Sequence, residues 1–220
     1  MAYSVIKKPS DYFNTVLYTG NGSTNAQTGV GFQPDFTWIK SRSNAENHNL
    51  FDAVRGATKR IRSNGAEAED TRTTSLTAFD SDGFTLGSGS QVNTSGWTFA
   101  SWNWLGANGT SANTDGSISS TVSASTTSGF SIVSYTGTGS LATVGHGLGV
   151  APAMIIMKNR STTNGWEVYH QSLGNTKYMQ LHTTSAEGTS ATRWNNTSPT
   201  STVFTVNTEG GVNSSGGNLI

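Results

Sequence analysis

The chain has 220 residues, 13 basic and 13 acidic side chains and no cysteine; charged residues make up only 12% of it, while aromatics hold 10%. Balanced charge removes electrostatic steering toward nucleic acid or anionic membrane, the lack of Cys removes disulfides and thiolate metal sites, and no apolar run reaches the roughly 20 residues of a membrane-spanning helix. With 26 glycines and abundant Ser, Thr and Asn over that aromatic content, the composition is that of a folded β-protein with a neutral polar surface.

Residues 1–12 read as an N-terminal arm. Their sequence, Met1-Ala-Tyr-Ser-Val-Ile-Lys-Lys-Pro9 and onward, lacks the apolar stretch of a secretory signal, so folding in a cytoplasm is expected. Short runs of β-branched and aromatic residues then alternate with Gly, Asn, Asp and Ser turns, and no segment keeps helical apolar spacing for three turns. Strands are expected over 14–18, 36–41, 49–54, 59–62, 75–79, 83–86 and 98–105. Residues 107–128 hold Ile118 and Val122 as their only large apolar side chains and read as a Gly/Ser/Thr-rich linker with scope for partial strand pairing. A second set of strands is expected over 131–135, 154–159, 166–171, 177–182, near Thr200 and over 203–206.

The two sets are copies. Tyr18-Thr-Gly-Asn-Gly-Ser23 returns as Tyr135-Thr-Gly-Thr-Gly-Ser140, Lys40-Ser-Arg-Ser43 as Lys158-Asn-Arg-Ser161, Gly56-Ala-Thr-Lys59 as Gly174-Asn-Thr-Lys177, and Val92-Asn-Thr-Ser-Gly96 as Val212-Asn-Ser-Ser-Gly216. Ordered matches at a nearly constant offset define a tandem duplication. Paired positions Trp38/Ile156, Phe51/Tyr169, Ile61/Met179 and Leu86/Val206 keep apolar character while changing identity, as core positions do. The expected fold is therefore all-β, with two tandem antiparallel β-sandwich units of the jelly-roll or lectin-like kind over 13–106 and 129–220. Trp102 and Trp104 alternate along the last strand of the first unit and are expected to fill its core. The second copy has no counterpart for Ser101 to Trp104, so the expectation is that the protein is longer than these 220 residues or that another chain supplies the strand.

Few residues suggest chemistry. Asp80-Ser-Asp-Gly83 starts as a calcium loop does but lacks the further ligands and closing Glu, which makes Asp80 and Asp82 weak metal candidates and a tight turn the better reading. Asp52 and Arg55 are candidates for a surface salt bridge, without a nucleophile or second carboxylate to make them catalytic. His48, His146, His170 and His182 show no metal-binding spacing, and neither Gly145-His-Gly-Leu-Gly149 nor Gly56-Ala-Thr-Lys-Arg60 has the spacing and context of a phosphate loop. Basic residues at Arg55, Lys59, Arg60 and Arg62 are answered by Glu67, Glu69 and Asp70, unlike a nucleic-acid stripe. Trp97, Trp166 and Trp194 have no aromatic partner in the other copy and are the candidates for stacking on a sugar ring.

The run Gly31-Phe-Gln-Pro-Asp-Phe-Thr-Trp-Ile-Lys40, with Leu50-Phe-Asp-Ala-Val-Arg-Gly-Ala57, Phe79-Asp-Ser-Asp-Gly-Phe-Thr-Leu-Gly87 and Val92-Asn-Thr-Ser-Gly96, resembles a repeated module of tailed-bacteriophage virion proteins common among marine phages. The resemblance covers nearly the whole chain after Tyr12. It implies a non-enzymatic virion component, a capsid decoration, knob or tail-fibre part made in the bacterial host cytoplasm. It also implies other virion proteins as partners and a homo-oligomer, a trimer on general grounds. The alternative is an adhesin binding host-surface glycans. No cofactor, nucleic acid or membrane insertion is expected, and a glycan depolymerase would need a carboxylate pair that the sequence does not offer.

Overall fold

The computed structural model describes residues 6–220; the expected N-terminal arm lies partly outside these and otherwise carries a 3-10 turn at Pro9–Asp11. The protein is all-β, as its alternation requires, but its small sheets are arranged as a four-blade β-propeller and not as two tandem β-sandwiches. The reason lies in strand pairing: the strands divide among six sheets of two to four strands, three in each unit, where a sandwich has two.

By compactness the chain divides into one unit made of the described residues up to Arg62 with Asp70–Gly109, and another made of Ser63–Glu69 with Thr110–Ile220. The first contains β1 (Phe13–Thr19), β2 (Asn25–Gln27), β3 (Phe36–Ser41), β4 (Asn49–Asp52), β5 (Lys59–Arg60), β6 (Asp70–Thr71), β7 (Leu76–Asp80), β8 (Gly83–Leu86), the short helix α1 (Ser90–Asn93) and β9 (Thr98–Trp104). Its sheets run β1-β9-β3-β4, β2-β8-β7 and β5-β6. The second contains β10 (Ser111–Asn113), β11 (Ser120–Ser125), β12 (Phe130–Thr136), β13 (Ala142–Gly145), β14 (Met154–Lys158), β15 (Trp166–His170), β16 (Lys177–Gln180), β17 (Gly188–Thr189), α2 (Ala191–Trp194), β18 (Val203–Val206), α3 (Gly210–Asn213) and β19 (Asn218–Leu219). Its sheets run β10-β11-β12-β19, β14-β15-β16-β17 and β13-β18.

Residues 107–128, expected as a linker, supply β10 and β11. Val122 faces Val133 of β12 in the ladder and is buried together with Ile118, so two apolar residues suffice to anchor a polar stretch whose backbone pairs with a neighbour. Near Thr200, where a strand was expected, the chain turns, with the Thr200 N–H donating to the Val203 carbonyl at 2.9 Å. In β19, Tyr135 pairs with Leu219, and Ile220 exchanges both backbone hydrogen bonds with Lys158. This reproduces the pairing of Lys40 with Ala100 in β9.

The repeated motifs close each unit in the same way. Tyr18 donates its hydroxyl to the Val92 carbonyl at 2.7 Å, and Tyr135 does the same to Val212. The fully buried Asn93 donates to the carbonyls of Ser23 (2.6 Å) and Gly87 (2.8 Å) and accepts from the Asn21 N–H (3.0 Å). Asn213 donates to Ser140 (2.6 Å) and accepts from the Thr138 N–H (2.8 Å). Gly20 and Gly137 are required by close approach: a Cβ would lie 2.2 Å from the Thr94 carbonyl oxygen in one copy and 2.3 Å from that of Ser214 in the other.

The cores follow the duplication. Tyr18, Ile39, Phe51, Phe84, Leu86, Val92 and Phe99 fill the first, and Tyr135, Met157, Tyr169, Phe204, Val206, Val212 and Leu219 the second. Phe51/Tyr169 and Leu86/Val206 are thus buried pairs. Trp38 and Ile156 are not: Trp38 is half-buried and Ile156 is 38% exposed, because Thr37 and Ile39 of β3 point to the core and residue 38 to the other face. Ile61 is buried but Met179 is exposed.

In the second unit, Ser63–Glu69 is held by side chains. Arg160 grips the Glu69 carboxylate through two N–H groups at 2.8 and 2.9 Å, the Glu69 N–H donates to the Arg160 carbonyl, and the Trp166 indole donates to the Gly65 carbonyl at 3.2 Å. A bidentate pair of this kind is among the stronger charged hydrogen bonds.

Replacing Asn93 or Asn213 with Ala strands several buried backbone groups. Each change should cost about 3 kcal/mol at ~1–3 kcal/mol per orphaned group and lower the melting midpoint of its own unit by roughly 10 °C or more. Calorimetry showing a shift of under about 4 °C, or under 1 kcal/mol, would refute the latch. Glu69→Ala should cost about 2 kcal/mol, less than a fully buried pair because both partners keep some solvent contact. Its signature is a red shift of tryptophan emission as Trp166 is uncovered; unchanged emission would show that the loop is held by something else.

Candidate functional site

Two of the three unmatched tryptophans, Trp166 and Trp194, are buried and offer no open ring face. Trp166 is 3% exposed under Gly65, and Trp194 is 2% exposed, stacked edge-on against Tyr169 with its indole on the Lys177 carbonyl at 3.1 Å. Trp97 is half-buried against the first core. The Asp52–Arg55 pair, expected on the surface, is buried: Asp52 accepts from the Arg55 Nε at 2.5 Å and from its backbone N–H at 2.8 Å, while the guanidinium also donates to the Leu50 carbonyl. It locks the turn after β4.

Asp80 accepts from the Thr85 hydroxyl at 2.7 Å across its own hairpin. Asp82 accepts from the N–H groups of Gly31 (2.7 Å) and Gly29 (3.0 Å), and the two backbone bonds hold its carboxyl below the usual range. The two carboxylates thus serve turns, and no cluster of three metal-ligating side chains occurs among the described residues.

The site that the structure does assemble lies on the outer face of β1-β9-β3-β4. Antiparallel register places Phe13, Trp104 and Phe36 in one row and Thr15, Trp102 and Trp38 in the next. Trp104 packs on Phe13 and Phe36 with ring centroids 4.8 and 5.2 Å away, and Trp38 meets Trp102 edge-on at 6.5 Å. All four β3 and β9 rings are half-buried, Phe13 is exposed, and Leu17 at the end of the face is 61% exposed. Trp102 and Trp104, expected in the core, are therefore outside. Their partners on the inner face are polar and fully buried: Thr37 donates to the Asn103 side-chain oxygen at 3.1 Å, and Asn103 donates to Asn14 and Ser101. Period-2 alternation marks two faces without saying which faces the core. Phe36, Trp38, Trp102 and Trp104 share one phase and Thr37, Ser101 and Asn103 the other, the pattern of an aromatic core with a polar exterior, so the alternation pointed to the wrong face.

His48 edges this aromatic face. It accepts from the Trp38 indole N–H at 2.7 Å through Nδ1, which requires the neutral ring. Desolvation, with help from the Lys40 ammonium, lowers its pKa. In the second unit Lys158 is buried, donating to the carbonyls of Asn159, Thr162 and Asn164 at 2.7, 3.1 and 2.8 Å; burial pushes its pKa down to about 8 while Glu67 opposes the shift. Lys40 makes the same local ties to Ser41 and Asn44, so this lysine is a shared structural peg.

The fold and this face define an all-β protein with an exposed aromatic surface. Residues 8–220 match the family described as "Domain of unknown function (DUF7483)", and the chain belongs to that family. No curated protein and no solved structure matches it.

A His with a depressed folded pKa contributes stability in full above its unfolded value near 6.5, and that contribution is lost as pH falls below it through the folded value. His48 should therefore titrate below 6.5, and the Trp38 indole N–H resonance should move with the same midpoint as its acceptor is protonated. An indole signal that ignores the His48 titration would break this link.

Proposed function

We propose that this protein is a non-enzymatic structural component of a bacteriophage virion, a capsid decoration, knob or tail-fibre part that binds other virion proteins through the outer aromatic face of its first unit. The observation that carries this reading is that face: contiguous apolar rings with Phe13 and Leu17 open to solvent, on a chain rich in hydroxyl and amide side chains. Contiguous exposed apolar surface of this kind marks interaction sites, and buried aromatic anchors dominate protein interfaces. The resemblance to phage virion modules along nearly the whole chain and the tandem duplication, which suits assembly better than catalysis, support the same reading.

A second reading moves the glycan site from Trp166 and Trp194 to Trp38, Trp102 and Trp104, whose half-exposed rings could each offer a face to a sugar.

Mass spectrometry of purified particles from cells that make the protein should find it in stoichiometric amount. Leu17→Ala should reduce its incorporation into particles several-fold while changing stability by no more than about 0.5 kcal/mol, as expected of an exposed site. Particles free of the protein would sink the virion reading. Binding on a glycan array that Trp102→Ala abolishes would select the second one.

A further inference from the structure

The duplication repeats a loop and its receptor, but only one of the two loops is docked. Ser63–Glu69, between β5 and β6, is part of the second unit, where Glu69 sits in the Arg160 fork and Gly65 covers Trp166. The loop between β16 and β17 is its counterpart in length and flank: Lys59 pairs with Thr71 and Arg60 with Asp70 as Lys177 pairs with Thr189 and Tyr178 with Gly188. Glu187 thus occupies the place of Glu69. Residues 183–187 are exposed throughout, and Glu187 pairs across its own hairpin with Lys177.

The receiving corner is also present twice. The Arg42 N–H donates to the Thr98 carbonyl at 2.8 Å as the Arg160 N–H does to that of Asn218 at 2.8 Å. The Thr98 N–H donates to the Ser43 hydroxyl at 3.1 Å as the Asn218 N–H does to that of Ser161 at 3.0 Å. Beneath each corner lies the same lysine peg, Lys40 or Lys158. Arg42 is exposed, and no carboxylate pairs with it among the described residues.

We propose that the loop 183–187 of one copy of this chain docks on the Arg42 corner of a second copy, with Glu187 held by Arg42 as Glu69 is held by Arg160. Charge complementarity and the docked counterpart within the chain both identify the occupant as a second copy. Leaving Lys177 costs Glu187 little, because exposed Lys–Glu pairs are weak, whereas the planar guanidinium fork gives two directed hydrogen bonds. His48 stands where Trp166 stands and Thr183 where Gly65 stands, so this contact lacks the covered indole and is the weaker, reversible version. Loop and receptor lie on different repeats, so the contact forms either a reciprocal two-fold pair, each copy giving its loop to the other, or a head-to-tail association that closes into a ring or continues as a filament. The inference stands independently of the virion reading.

Sedimentation velocity over a concentration series, at low salt, tests it on the full chain. The wild-type protein should associate. Glu187→Arg and Arg42→Glu each bring like charges together and should weaken association at least roughly tenfold, while the double variant Glu187→Arg/Arg42→Glu restores it with the pair reversed. Unchanged near-ultraviolet circular dichroism separates lost association from lost fold, since both side chains are exposed. A wild-type chain that stays monomeric throughout, single variants that associate like the wild type, or a double variant that fails to recover would each overturn the proposal.

Discussion

Each copy of the repeat depends on one buried asparagine. Asn93 and Asn213 terminate short helices and face inward, with no solvent to satisfy their amides. Each amide therefore bonds to the glycine-rich turn that follows the first strand of its repeat, and the close approach of that turn is possible because Gly20 and Gly137 carry no side chain. A buried amide that satisfies several backbone groups at once fixes a loop in a way apolar contacts do not, since each lost bond exposes the full desolvation cost. This explains why Tyr-Thr-Gly-x-Gly-Ser and Val-Asn-x-Ser-Gly are the best-kept parts of the duplication, while the core residues between them drift in identity.

Once the turn is latched, the tyrosine beside it is anchored as well. The hydroxyls of Tyr18 and Tyr135 reach the carbonyls of Val92 and Val212, and burial raises both pKa values well above the ordinary range. Their rings then form the floor on which Phe84 and Phe204 pack edge-on at 6.4 and 6.2 Å. Polar latch and apolar core are one construction: the amide positions the turn, the turn positions the tyrosine, and the tyrosine closes the core.

Charged side chains diverge where the polar latch does not. The first unit locks a turn with Asp52 and Arg55, where the second has His170 and Leu173. The second buries Glu167 against Arg193, whose guanidinium lies 3.4 Å over the Tyr178 ring, where the first has Asn49 bonded to Arg60 at 3.2 Å. Buried ion pairs contribute little net stability when complete but are costly to break. Two copies can therefore hold different pairs at equivalent places without changing the fold, and such pairs report local packing more than function.

The sequence by itself determined the duplication, the all-β class and most strand positions; strands at 36–41, 83–86 and 203–206 coincide with β3, β8 and β18, because alternation and turn residues act over a few neighbours. It could not decide how strands group into sheets, since ladder partners such as β1 and β9 lie far apart along the chain and strand spacing is the same in a sandwich and in propeller blades. Nor could it decide the phase of β9: Trp102 and Trp104 look like core until Asn103 and Thr37 are seen bonded to each other inside. The candidate face was therefore written in the chain but illegible there, because alternation names two faces and only the packing of the rest of the unit chooses which one meets water. The same holds for Trp166, which resembled a solitary binding ring until the tertiary structure placed Gly65 over it, a contact spanning about a hundred residues and set by the ion pair of Glu69 with Arg160.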